Sequence, residues 1–337
     1  MFNAFNNTLI SQVNKLPIGL SVGQMGCCIY LANQNSVKND QIQIIINNIL
    51  DNINSINSID VDSGFAGISL GLEYLKMKRN IIFDDNIIKT IDDNIFYVLS
   101  ETTQSNNSNP KIGILLKLII FLIIKVEFCN ITKENSLLYK YLIEDILVYI
   151  SSRITIYDIF EQPSFNLIGY NLPLLYLTYA LCFKYNIATF KIDKIIRFQH
   201  PEFLTIYPRL NSNRLQLYLS LCFFLKYTKN KDIISYKEHL EKMIIVDNNA
   251  EFRKNHIFLY NGLAGYLLNL YLLNNIQYKF ECLDSIIFFE QKLIKIVNSI
   301  DLESIKENHS SLGLISGYAG LFLLLQVKND FNQLFKL

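Results

Sequence analysis

Two hydrophobic patterns alternate along the chain. In the first, apolar residues recur every three or four positions among Asn, Asp and Lys. In "DQIQIIINNILDNINSI", Ile42, Ile45, Ile46, Ile49 and Ile53 mark a helix with one buried face. "FDDNIIKTIDDNIFYVLS", "ENSLLYKYLIEDILVYI", "IISYKEHLEKMII" and "LDSIIFFEQKLIKIV" read the same way. In the second, two or three turns are apolar almost without interruption, as in "HIFLYNGLAGYLLNLYLL" from His256 to Leu273. A helix of that kind is covered on all sides.

The all-apolar runs share a head. "LSVGQMGCCIYL" carries Gly23 and Gly26, "VDSGFAGISLGLEYL" Gly64 and Gly67, "LYNGLAGYLLNLYLL" Gly262 and Gly265, and "LISGYAGLFLLL" Gly317 and Gly320. Three weaker copies lie between: "NPKIGILLKLIIFL" keeps Gly113, "NLIGYNLPLLYLTYAL" keeps Gly169, and "PRLNSNRLQLYLSLCFFL" keeps neither glycine. The second glycines recur at intervals of about 41–55 residues, enough for a helix pair per repeat. Seven copies, each pairing an all-round apolar helix with a one-faced helix, predict an all-α protein of two concentric rings. The glycine-led helices form the inner ring, and residues 1–337 form one domain. Where inner helix ends crowd together, a residue without Cβ permits close backbone approach and turns with φ > 0.

Composition narrows the function. Of 337 residues half are apolar, and 31 basic residues against 30 acidic leave a net charge of +1, so no electrostatic case exists for a nucleic-acid partner. The mean hydropathy of +0.21 raises the question of a membrane span. The most apolar run, "GILLKLIIFLIIKVEF", is short and interrupted by Lys117 and Lys125, which fits a buried helix better. The six cysteines, Cys27, Cys28, Cys129, Cys182, Cys222 and Cys282, lack CxxC spacing and follow no signal peptide, so a cytoplasmic protein with free thiols is expected.

Gly-Phe-Ala-Gly, Gly-Leu-Ala-Gly and Gly-Tyr-Ala-Gly, each heading an apolar helix, resemble the lanthionine synthetase C-like (LanC-like) family over nearly the whole chain. The resemblance implies an α/α toroid of seven inner and seven outer helices. It also implies work on ribosomally synthesised peptides, in which Cys thiols add to dehydrated Ser or Thr residues to close thioether rings. Family cyclases hold zinc with a Cys from the fifth repeat and an adjacent Cys-His from the sixth, and zinc keeps the attacking thiol deprotonated.

This sequence departs from that ligand set. Tyr260-Asn261 stands where Cys-His would precede Gly-Leu-Ala-Gly, and the fifth-repeat stretch "TIYPRLNSNRL" contains neither Cys nor His. No zinc or other cofactor is therefore expected. The leading expectation is a zinc-free member that binds a precursor peptide or acts as scaffold for a peptide-modifying enzyme. An alternative is a cyclase with an unconventional site, for which His256, Tyr260, Asn261 and His309 are the catalytic candidates. His256, His309 and Cys222 are the residues from which a substitute metal site would be built, and capping or solvated histidines are the plainer reading.

Other constellations carry less. Asp62, before Gly64, and Glu73, within the same repeat's inner helix, are expected to face the toroid cavity together with Tyr260 and Asn261. Asp62, Glu73 and Glu161 are the carboxylates available to an α/α-toroid glycosidase, a further alternative. Asp84-Asp85 and Asp92-Asp93 are expected to face water on an outer helix. A third reading assigns the outer face to binding a dehydratase, radical enzyme or transporter. G-x-S-x-G and phosphate-loop motifs are absent.

Overall fold

A helix with one apolar stripe gains by burying that stripe alone, whereas an all-apolar helix needs neighbours on every side. The computed structural model, which describes residues 2–104, 110–199, 201–247, 251–252, 256–276, 282–300 and 309–327, sorts the helices on this basis. Among the described residues there are fourteen α-helices and no strand. The one-faced helices are α1 (Phe2–Gln12), α3 (Asn39–Asp51), α5 (Asp85–Gln104), α7 (Leu137–Ser151), α9 (Thr189–Gln199), α11 (Lys231–Glu241) and α13 (Leu283–Asn298). They alternate with the repeat helices α2 (Gln24–Ala32), α4 (Phe65–Arg79), α6 (Ile112–Thr132), α8 (Asn171–Lys184), α10 (Asn211–Phe224), α12 (Leu263–Asn275) and α14 (Tyr318–Val327).

Burial follows the pattern read from the sequence. On α3 the buried residues are Ile42, Ile45, Ile46 and Ile49, each contributing about 1.5–3 kcal/mol on transfer from water. On α13 they are Ile286, Phe289, Leu293 and Val297. By contrast, α10 is buried at nearly every position from Asn211 to Phe224. The apolar helix α6 is buried around most of its circumference, and even Lys125 is 1% exposed, its ammonium 5.5 Å from the centre of the Phe121 ring. No helix among the described residues is long and apolar enough to cross a membrane.

The chain divides into two compact units, one from Met1–Val98, Lys254–Tyr271 and Ile286–Leu337, the other from Leu99–Arg253 and Leu272–Ser285. In the first unit α2 packs against α3, α4 and α14. Helix α1, which the sequence pattern did not announce, covers the junction of α14 and α2. Its Phe5 stacks on Phe322 with ring centres 4.3 Å apart and meets Tyr30 edge-on, and the Tyr30 hydroxyl donates to Asn6 Oδ1 at 2.8 Å. In the second unit α8 packs between α6 and α10, with α7, α9 and α11 laid on α6, α8 and α10 respectively.

Candidate functional site

The lead-in loops of the four repeats with complete glycine pairs all belong to the first unit, and their backbones bond in series. Tyr260 N–H donates to Ile315 C=O at 3.0 Å, Ile315 N–H to Ser21 C=O at 2.9 Å, and Ser21 N–H to Asp62 C=O at 2.8 Å. Each of these residues stands two positions before the first glycine of its pair, so the same register is used four times. The series runs through the sixth, seventh, first and second repeats, so the loop before α14 joins the last repeats to the first.

This series explains the glycines. A Cβ on Gly26 would lie 2.1 Å from the Leu20 carbonyl oxygen and 2.7 Å from Leu314 Cβ. On Gly67 it would meet the Val61 carbonyl oxygen at 2.1 Å and Leu20 Cβ at 2.8 Å, and on Gly320 the Leu314 carbonyl oxygen at 1.7 Å and Leu259 Cδ1 at 2.7 Å. The second glycine thus admits its own loop and a side chain of the adjoining loop. The first glycine lets the loop fold back over the helix start: a Cβ on Gly64 would lie 2.4 Å from the Ser58 carbonyl oxygen, and one on Gly262 2.5 Å from that of His256. Close approach is therefore the reason for the pairs. The expected positive φ is not found, since Gly23 and Gly64 are extended N-caps with φ near −103° and −105°, and no described glycine has positive φ.

Helix starts leave N–H groups without intrahelical partners, and the folded-back loops supply carbonyls to them. Gln24 N–H bonds Pro17 C=O at 2.7 Å, Phe65 N–H bonds Ser58 C=O at 2.9 Å, and Leu263 and Ala264 N–H bond His256 and Ile257 C=O at 2.9 and 3.1 Å. His256 therefore serves α12 through its carbonyl. Tyr260 and Asn261 are half-buried in the same loop. His309 opens a short 3₁₀ turn ahead of α14, and its side chain lies outside the described residues. Asp62 and Glu73 are half-buried in the first unit. The neighbouring Asp60 anchors the loop before α4 by accepting from Ser58 Oγ, from Ser63 N–H at 2.7 Å and from Ser63 Oγ at 3.0 Å. Burial pushes its carboxyl upward, but these bonds and one from the Asp62 backbone hold it below its ordinary value.

The fifth repeat, in the second unit, replaces glycines with two glutamates. Glu161 accepts from Arg209 N–H, from Leu210 N–H at 3.2 Å and from Asn213 Nδ2 at 2.9 Å. Glu251 accepts from Asn211 N–H, and its Oε2 accepts from Ser212 N–H at 3.0 Å and Ser212 Oγ at 2.7 Å. Two carboxylates at a helix N-terminus satisfy its orphan donors and oppose its dipole. Glu161 is thus held as a helix cap beside Glu251, with both carboxylates engaged by the N-terminus of α10. No local pattern signals these caps, because Glu161 and Glu251 come from loops about 40–50 residues away on either side.

Asp84 Oδ1 accepts from Asn86 N–H, Asp85 pairs with Lys76 at the surface, and Asp93 is exposed, as expected. Asp92 departs from expectation: it is buried and accepts from Ser69 Oγ of α4 at 2.8 Å. All six cysteines are buried and none forms a disulfide. Burial pushes the Cys27 and Cys182 thiols up to about 12, and raises Cys28 further with help from Cys27. Cys222 lies near the C-terminal end of α10, about 16 Å along the axis from its start.

The zinc implied by the resemblance is tested by these donors. At the sixth repeat they are a phenol and a carboxamide, weak zinc ligands beside thiolate and imidazole. Among the described residues no three His, Cys, Asp or Glu side chains gather as a metal site. Tyr260 and Asn261 themselves offer neither thiolate nor imidazole.

Compared with solved structures, the chain superposes on nisin cyclase with a TM-score of 0.68, covering 98% of this chain and 94% of that one at 15% sequence identity. The fold is similar to that of nisin cyclase. This likeness identifies the all-α arrangement as the α/α toroid expected from the repeats. No protein-family model matches the sequence, and no curated protein matches it significantly. At this identity the likeness to nisin cyclase concerns the fold alone.

Proposed function

We propose that this chain is a zinc-independent counterpart of the lanthionine cyclases, which binds a ribosomally made peptide during its maturation or presents it to a modifying enzyme. The observation that carries the reading is the loop before α12. Its backbone keeps the shared register, with Tyr260 bonded to Ile315, yet its side chains are a phenol and an amide. Retention of the framework without thiolate-generating side chains at this position favours holding a peptide over cyclising it. The name of the fold neighbour supports a peptide as the bound species.

Protein purified without chelators or a histidine tag is expected to carry well under one zinc per chain by elemental mass spectrometry. Mixed with a synthetic peptide containing one cysteine and one dehydroalanine, it is expected to bind the peptide and to leave its rate of thioether formation unchanged. About one zinc per chain together with accelerated ring closure would overturn the proposal. In that event alanine at His256, Tyr260, Asn261 and His309 would identify the groups responsible.

A further inference from the structure

The first unit contains an open cleft of about 710 Å³ between the lead-in loops of α2 and α4 and the C-terminal end of α3. Its size lies within the roughly 300–1,000 Å³ of small-ligand sites. Its chemistry is unusual: the polar lining is carboxamide and hydroxyl, including Asn14, Asn48, Asn52, Asn57 and Ser55, and no charged or aromatic side chain contributes. Pro17, Ile18 and Ile56 supply apolar wall.

The floor is fixed in advance. Gln24, 2% exposed, donates to Leu16 C=O at 2.8 Å and accepts from Asn48 Nδ2 at 2.8 Å. Asn52 Nδ2 in turn donates to Asn48 C=O at 2.8 Å, and Ser55 Oγ to Asn52 C=O at 2.7 Å. These bonds hold the amides in one orientation, so little side-chain freedom remains to be lost on binding. At the rim, Asn14 and Asn57 are exposed.

We propose that this cleft binds an extended, uncharged peptide segment. A carboxamide donates and accepts at once, which matches the one N–H and one C=O that each peptide residue presents. Without a lining charge the cleft offers no ion pair to a phosphate, carboxylate or ammonium. Without an aromatic ring it offers no stacking face to a sugar or a base. The apolar patches of Pro17, Ile18 and Ile56 suit the side chains that alternate along an extended strand. The inference rests on the peptide-binding reading above and names where such a peptide would lie.

The test uses the full chain and three synthetic ten-residue peptides with blocked ends: a neutral one of Ser, Thr, Gly, Val and Asn, and versions carrying two Lys or two Asp. Isothermal titration is expected to show the neutral peptide binding at least tenfold more tightly than either charged one. The double variant Asn14→Trp/Asn57→Trp, made at exposed positions, is expected to lose at least tenfold, with an unchanged far-UV spectrum. Asn57→Asp is expected to favour the Lys peptide over the Asp peptide. Equal binding of neutral and charged peptides, or tighter binding of maltotetraose than of any peptide, would overturn the assignment. Neutral-peptide binding that survives the double Trp variant would remove the cleft and leave the peptide-binding proposal standing. No binding of any peptide by the unaltered chain would count against both.

Discussion

At the scale of single residues, the glycine pairs show how a local sequence habit reports a tertiary contact. Gly67 and Gly71 lie one turn apart on α4, but an added Cβ meets different things: the backbone oxygen of Val61 at 2.1 Å for Gly67, the flexible Met25 side chain for Gly71. Gly67→Ala is expected to destabilise by about 1–3 kcal/mol through overpacking. Gly71→Ala is expected to cost less, because Met25 yields and alanine is the better helix former. Urea denaturation of both variants checks the order. Asp60 gives a second residue-level expectation. Its carboxyl is depressed in the folded state, so its stabilising contribution is present above the unfolded value of about 3.9 and is lost as pH falls through the folded value. Asp60→Asn is expected to lower stability at pH 7, and the gap to the unaltered protein is expected to narrow below about pH 4. A gap that stays constant from pH 7 to pH 3 would show that the charge is not what holds the loop.

At the scale of elements, periodicity alone placed the helices because burial follows a 3.6-residue repeat. Of the five isoleucines read as one face, Ile42, Ile45, Ile46 and Ile49 are buried on α3, whereas Ile53 falls beyond its end in a 3₁₀ turn and is half-buried. Asp92 was misread although the signal was present. It lies three residues before Ile95 and beside Ile91, on the stripe that faces inward, and its burial depends on Ser69 of another helix. The φ > 0 expectation failed for a similar reason, because glycine's lack of Cβ and its freedom of φ cannot be told apart without neighbours. Left-handed conformations fall instead on Asn80 and Lys133, which end α4 and α6, and on Asn186 and Ala188 after α8. The caps on α10 were invisible in the sequence, since Glu161 and Glu251 are remote from the helix they serve. Glu251→Ala is expected to destabilise by about 1–3 kcal/mol by leaving the Asn211 and Ser212 N–H groups unpaired. Glu251→Gln is expected to cost less, as an acceptor remains. Thermal melts of the two variants distinguish loss of an acceptor from loss of charge.

At the scale of the whole molecule, the seven-fold alternation made the toroid readable, whereas the site was readable only by what it lacks. Tyr260-Asn261 raised the expectation of a site without zinc, but nothing in the sequence marked the carboxamide cleft, which is assembled from three separate segments between Asn14 and Ser63. The thiols allow a global check. With all six cysteines buried and Cys27 and Cys182 raised to about 12, the native protein is expected to resist Ellman's reagent at pH 8 and to react only as it unfolds. Rapid modification of one thiol in the native state would reopen nucleophilic chemistry at that cysteine.

The series of lead-in loops also bears on how the molecule is made. One compact unit joins segments from both extremes of the sequence, with Ile315 bonded to Ser21 and Phe322 stacked on Phe5. The other is drawn mostly from the uninterrupted stretch Leu99–Arg253. On a ribosome, α2 emerges long before α14 exists to pack against it. That face of α2 must wait through most of translation, while α6, α8 and α10 find their neighbours as they appear. Folding therefore departs from the order of synthesis: the middle of the chain is the part equipped to fold first, and the unit that holds its beginning is completed last.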